Sequence, residues 1–395
     1  MPTMRRVLGS ELAPGVALLV ATVAAVVWAN CAGDSYTRFW ETEFGWPRLG
    51  LHMDGRHWVN DALMTVFFFV IGLELKHELT QGSLAHPRRA LVSVAAALGG
   101  AMVPALIFVA STWGTDAVTG WGVPMATDPA FAVGVLALVA PRAPAGLRAM
   151  LLAIATVDDV LAVLVIAFGY AHGIAWVWLG AAVAGCVVVV IMRRAGVAGA
   201  GWYLPIGVLV WFATLHSGIH ATIAGVALAL LTPASPVAGR QVLTDLLRIA
   251  SPVSAFIAVP VFAVANAGVP LSVSALHHAA HARVTWAVLA ALLAGKFLGV
   301  GCTITVTVAC RIGHLPDQVR PGHVIGLGCI AGLGFTVALF VTDLAYTNAA
   351  MIEQAKAGIF AASLLAATSA AAALAATDRR CQAMTTSPAA SGPRK

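Results

Sequence analysis

The stretch Ala149–Gly169, AMLLAIATVDDVLAVLVIAFG, places two adjacent carboxylates, Asp158 and Asp159, in the middle of an otherwise apolar run. About 20 apolar residues cross the roughly 30 Å hydrocarbon core of a bilayer, so this run is long enough to span one. An Asp at the centre of such a helix costs about 2.5–3.5 kcal/mol on insertion scales. Such residues face a bundle interior or a wet cavity, and they mark ion or proton pathways. A soluble core helix with a polar end would look similar in isolation. Composition excludes it: 60% of the 395 residues are hydrophobic and only 10% charged, against roughly 25% charged in soluble domains.

Apolar runs divide the chain into about twelve spans. They lie near 12–30, 60–80, 90–112, 121–140, 149–170, 174–192, 203–216, 219–232, 251–269, 285–309, 323–343 and 355–377. The chain therefore reads as an all-α polytopic membrane protein, one integral-membrane domain over 1–377 with a polar, disordered C-terminal tail over 378–395. Arg5 and Arg6 before the first apolar run resemble a secretory signal, but further spans follow, so the run is expected to stay as the first helix. Spans 7 and 8 are short and are separated by the polar turn LHSGIH. The connection from Cys31 to Asn60 is the longest polar one, and its Trp40, Trp46 and Trp58 suit the membrane interface. The six cysteines show no metal-ligand spacing and read as small buried hydrophobes.

The net charge of +6 does not point to nucleic acid, because the basic residues are scattered between spans. With a cytoplasmic N-terminus, the cytoplasmic connections carry Arg88/Arg89, Arg142/Arg148, Arg193/Arg194, Arg240/Arg248 and Arg311/Arg320, and the C-terminus adds Arg379/Arg380. The opposite side keeps Arg38, Arg48, Arg56 and Arg283, with Lys356 just inside the last span. The positive-inside rule then puts both termini in the cytoplasm.

Two spans are interrupted. Span 4, WGVPMATDPAFAVGVLALVA, holds Pro124, Thr127, Asp128 and Pro129, and its helix is expected to break near Thr127–Asp128. Span 11, VIGLGCIAGLGFTVALFV, holds four glycines, which weaken a helix and let backbones approach closely. Interrupted segments in the two halves of a chain point to inverted repeats and a secondary transporter, here with spans 3–5 and 10–12 as candidates. At membrane depth the ionisable residues are Asp128, Asp158, Asp159 and Lys296 of span 10. Three acids and one base cannot all stay charged there without a bound cation or proton. Adjacent helical residues point about 100° apart, so Asp158 and Asp159 divide their roles, one toward a cation and one toward Lys296. Thr127 and carbonyls freed around Asp128 would supply further oxygens for a hard cation. Asp128 serves either there or against the helix N-terminus at the break.

Seven stretches in order resemble the NhaA-type Na⁺/H⁺ antiporter family over roughly residues 10–375. They are FFFVIGLELKHELTQGSLA (67–85), WGVPMATDPAFAVGVLAL (121–138), LLAIATVDDVLAVLVIAFGY (151–170), HSGIHATIAGV (216–226), PVFAVANAGV (260–269), GKFLGV (295–300) and GLGCIAGLGFTVALF (326–340). The resemblance implies twelve helices, with helices 4 and 11 unwound and crossing at mid-membrane. It implies a core of about 90–170 and 285–377 moving against an interface domain of about 12–80 and 203–269, which in the family often forms a homodimer. By position, Asp159 matches the principal Na⁺ ligand, and Asp158 the carboxylate that pairs with Lys296; Thr127 and Asp128 match the helix 4 break. The implied activity is electrogenic exchange of Na⁺ or Li⁺ for protons in the cell membrane, activated at alkaline pH, with no cofactor.

The departures cluster on the cytoplasmic side. Glu74 and Glu78 match the family's acids on helix 2, but His77 stands where an arginine is common. At the start of helix 9, LLRIASPVSAF (246–256), Leu247 and Ser251 replace an acid and a histidine, and Asp245 is the nearest acid. Alkaline activation is accordingly expected to be shifted or weak. Pro129 directly after Asp128 is also a departure. His220 matches a histidine linked with pH response.

Other classes fit less well. An intramembrane aspartyl protease built on Asp128 and Asp158 would leave Lys296 without a role, and its GxGD signature is missing. A cation channel would need a repeated filter. A sodium-coupled solute symporter on the same fold is the closest rival; it needs a cavity lined by further polar groups.

Overall fold

Long apolar runs have no water to pair with inside a bilayer, so their N–H and C=O groups satisfy one another as helices. The computed structural model describes residues 2–386 except 86, 171, 172, 198, 238 and 317; for 2–11, 83, 88, 89, 200 and 378–386 it describes the backbone alone. Arg5, Arg6, Arg88, Arg89, Arg379, Arg380 and Cys381 thus have their side chains outside the described residues, as does everything after Thr386.

The helices are α1 (Pro2–Cys31), α2 (Gly33–Trp40), α3 (Gly55–Thr80), α4 (Pro87–Thr112), α5 (Pro129–Val139), α6 (Ala145–Gly169), α7 (Trp176–Arg194) and α8 (Ala200–His216). They continue as α9 (Thr222–Leu231), α10 (Val242–Asn266), α11 (Val273–His281), α12 (Arg283–Ala309), α13 (Pro321–Ala331), α14 (Thr336–Ala345) and α15 (Ala349–Thr386). Eight of these segments are long and apolar enough to cross a membrane, and two bent pairs raise the number to ten. The bent pairs are the 3-10 segment Asp116–Met125 with α5, at 50°, and α13 with α14, at 41°. The expected spans 7 and 8 are α8 and α9, which are shorter than a full crossing, so the count of twelve does not follow from helix length.

Four sequence expectations change. The connection 31–60 is not a loop but holds α2 and an antiparallel hairpin, β1 (Glu43–Trp46) with β2 (Leu51–Asp54), in register Glu43↔Asp54 to Trp46↔Leu51. Its turn closes at Gly50, whose φ of 68° is left-handed and favours glycine. Of the expected interfacial tryptophans, Trp46 is exposed but Trp40 is buried, its ring edge-on to Phe39 at 5.0 Å. The cysteines are not all buried: Cys31, Cys302 and Cys310 are exposed, while Cys186 and Cys329 are half-buried. α15 also continues as helix into the expected tail, to Thr386.

Two apolar clusters fill the bundle. One gathers Phe68, Phe262, Phe340, Ile166 and Leu292. The other gathers Leu136, Leu151, Ile154, Val300 and Leu327. α4 and α12 pack along one another, at a spacing only glycine permits: a Cβ on Gly299 would stand 2.2 Å from the carbonyl oxygen of Gly99.

Candidate functional site

Four segments pass from one apolar cluster to the other at the same level. On α6, Ile154 belongs to one cluster and Ala162, Val163 and Ile166 to the other. The same change occurs from Ala126 to Ala132 on the segment leading into α5, from Leu292 to Val300 on α12, and from Leu333 to Phe335 between α13 and α14. In each case the residues between the two clusters are those with polar chemistry: Asp158 and Asp159, Thr127 and Asp128, and Lys296, with freed backbone where α13 ends. The polar groups therefore form a layer between two apolar cores.

Backbone geometry builds this layer. Pro129 restricts the residue before it to extended conformations, and Asp128 has φ −86° and ψ 106°. Asp128 then caps α5, its Oδ1 accepting from the Phe131 amide at 3.1 Å. Its Oδ2 accepts from the amide of Thr336 at 3.1 Å and from the Thr336 hydroxyl at 2.8 Å, on the first residue of α14. One carboxylate thus faces two helix N-termini, whose unpaired N–H groups carry partial positive charge. The ends of α13 are met from the other side: the Asp128 amide donates to Leu333 O at 2.6 Å, and Thr127 Oγ1 lies 2.9 Å from Ala331 O.

Thr127 Oγ1 also lies 2.7 Å from Asp158 Oδ2, and its single proton serves one acceptor at a time. The same Asp158 oxygen accepts from Lys296 Nζ at 2.6 Å, and both of these side chains are fully buried. Lys296 follows a π turn, Ala291–Gly295, a distortion frequent at functional sites. Asp158 Oδ1 and Asp159 Oδ1 are buried and accept no hydrogen bond. Asp159 also stands in the field of Asp158, Asp128, Glu74 and Lys296. Buried acceptors without partners are uncommon, because a desolvated polar group costs free energy unless it is paired. Two of them stand on neighbouring carboxylates, and carboxylate oxygens are the kind of group that takes a hard cation or a proton.

The remaining candidates lie elsewhere. Glu74, His77 and Glu78 occupy the last two turns of α3. Asp245, the nearest acid at the start of α10, is exposed and lies 4.0 Å from Arg248, whereas Leu246 and Leu247 pack toward Leu73 and Leu243. His220 is at the opposite end of α3: its Nε2 lies 3.4 Å from Asp61 Oδ1, its Nδ1 2.9 Å from Thr222 Oγ1, and its ring edge-on to Phe340. Asp61 and Glu78 are 17 residues apart on one helix, about 25 Å. The proposed pH residues are therefore two groups, not one.

Beside the three acids and one base of this layer, two further acids stand in largely buried pairs. Asp61 pairs with His220, and Lys356 Nζ lies 3.1 Å from Asp343 Oδ1 with both side chains largely buried. Both acids were visible at the edges of spans 2 and 11. The roles of Thr336 and of the carbonyls of Ala331 and Leu333 were not visible, since they depend on which two breaks meet.

A family model described as Na+/H+ antiporter 1 matches residues 5–374, nearly the whole chain. A protein named Na(+)/H(+) antiporter NhaA 3 from Frankia alni is 41% identical over 410 residues, covering 93% of this chain and 87% of its own length. The chain belongs to the NhaA family of Na⁺/H⁺ antiporters. NhaA of Acidovorax sp. is 42% identical, covering 92% of this chain and 89% of its own. NhaA of Salmonella arizonae is 38% identical, covering 93% and 96%. Membership, with the apolar helices above, makes this a multi-pass membrane protein of an ion-antiport family, a class whose work is transport.

Proposed function

We propose that this protein exports Na⁺, and Li⁺ by the same site, in electrogenic exchange for protons. The observation that carries the reading is the pair of unpartnered oxygens, Asp158 Oδ1 and Asp159 Oδ1, buried beside a single lysine. Na⁺ is a hard cation and takes oxygen ligands; Asp159 is its principal ligand, with Asp158 and the Thr127 hydroxyl completing the shell. Protons and Na⁺ compete for the same carboxylate oxygens, so one must leave before the other enters. Electrogenic exchange needs more proton-binding groups than cation charges, and the layer offers Asp158, Asp159 and the Lys296 amine against one monovalent ion. Asp128 is committed to two helix N-termini and acts as their counter-charge.

In this reading, the helices of about 90–170 and 285–377 form a core that moves against the helices of about 12–80 and 203–269, exposing the layer to each face in turn. Both termini are cytoplasmic in the cell membrane, and the interface helices pair two copies in the lipid bilayer. A sodium–solute symporter gains no support, because the groups of the layer are spent on one another and leave few for an organic solute. The test is dye dequenching in everted vesicles from cells lacking their own antiporters. Respiration acidifies the lumen, and adding Na⁺ or Li⁺ should raise the dye signal, an effect lost in Asp159→Asn. Folded protein that gives no dequenching at any pH would overturn the proposal.

A further inference from the structure

α11 is a short surface helix, started by Ser272, whose Oγ accepts from the Ala275 amide at 3.1 Å. Its sequence VSALHHAAH carries three histidines, all exposed. His277 and His281 stand at i and i+4, neighbours on one helix face, and their ring centroids are 4.3 Å apart. His281 Nδ1 lies 2.9 Å from the carbonyl oxygen of His277. A carbonyl only accepts, so this ring nitrogen holds the proton, and Nε2 of the neutral ring keeps its lone pair. Metal-binding histidines adopt this arrangement, with the outer N–H held by a carbonyl or carboxylate. Two imidazoles at i and i+4 are also the spacing with which H-x-x-x-H helices hold zinc.

We propose that His277 and His281 form a two-imidazole site for a divalent transition metal of the Zn²⁺, Ni²⁺ or Cu²⁺ class. Imidazole suits these ions, whereas Na⁺ and Mg²⁺ prefer oxygen, so the site is chemically distinct from the aspartate layer. Among the described residues no three His, Cys, Asp or Glu side chains stand close enough to enclose an ion, so water fills the remaining positions. His281 itself lines a cavity of about 810 Å³ together with His278 and Glu353, which are not ligands in this assignment. The site lies on the connection between α10 and α12, two residues before the helix that carries Lys296 begins.

Isothermal titration of ZnCl₂ or NiCl₂ into detergent-solubilised protein, purified through a histidine-free tag, tests this. The unaltered chain should bind one metal saturably. His277→Ala and His281→Ala should each weaken binding by at least the roughly 10- to 100-fold that loss of an outer-shell partner costs, and the double variant should show no binding. His278→Ala should bind as the parent does. Thermal unfolding without metal should be unchanged in all variants, since the rings are exposed. No binding by the parent, or equal binding by the double variant, overturns the site. Loss of binding in His278→Ala or Glu353→Gln instead would overturn the assignment of the ligands.

Discussion

Lys296 and Asp158 are buried as an ion pair at 2.6 Å, so each is the other's replacement for water. Breaking such a pair by removing one partner costs about 3–5 kcal/mol, mostly the uncompensated charge left behind. Lys296→Ala should therefore lower the thermal unfolding temperature. Asp158→Asn in the same chain should recover part of the loss, because the orphaned carboxylate is then neutral. A double-mutant cycle on unfolding temperatures checks this, and additive effects would show that the two side chains are not coupled. Thr336 acts on Asp128 through both its amide and its hydroxyl. A hydrogen bond to a charged group is worth about 1.5–3 kcal/mol. Thr336→Val keeps the amide and removes the hydroxyl, so it should weaken apparent Na⁺ affinity and stability together, and Thr336→Ser should restore both. Equal Na⁺ affinity in the Val and Ser variants would remove the hydroxyl from the account.

At the scale of elements, the position of Lys296 depends on the close approach of α12 to α4. A methyl group on Gly299 would press into the Gly99 carbonyl, and added volume in a packed interior costs about 1–3 kcal/mol. Gly299→Ala should lower the unfolding temperature and slow Na⁺-dependent exchange in vesicles, since α12 must back away from α4 and carries Lys296 with it. An unaltered exchange rate would mean that Lys296 is placed independently of this contact. The break before α5 rests on two adjacent residues: Pro129 keeps Asp128 extended, and Asp128 caps the helix that follows. Losing such a cap costs about 0.5–2 kcal/mol. Asp128→Ala also removes the counter-charge from the N-terminus of α14, so its unfolding temperature should fall further than that of Asp128→Asn, which retains an acceptor. Equal unfolding temperatures for the two would refute the capping role.

For the whole molecule, the start of α10 bears on regulation. Leu247 packs against the apolar cluster of Leu73 and Leu243 where the family resemblance leads one to expect an acid, Ser251 stands where it leads one to expect a histidine, and Asp245 sits at the surface near Arg248. Exchange measured from pH 6 to 9 should therefore rise only shallowly with pH, whereas a steep alkaline onset would show that Glu74, Glu78 and His77 suffice without an acid at position 247 and a histidine at position 251. Much of the architecture was legible in the residues. Run length and the bilayer's demand that every backbone group be paired determined the helices, and Pro129 determined the break at Thr127–Asp128. The scarcity of charge made Asp158, Asp159 and Lys296 conspicuous, because insertion penalises each of them. The hairpin at Gly50 was not legible, since an alternation of four residues is too short a signal beside long helices. The link from Asp128 to Thr336 was hidden as well, as were the partner of Lys356 and the two carboxylate oxygens left unpaired. These depend on contacts between residues as far as 208 positions apart, which only the packing of the helices brings together. Local patterns in the sequence determined which groups are buried; the tertiary structure alone decided which buried groups meet.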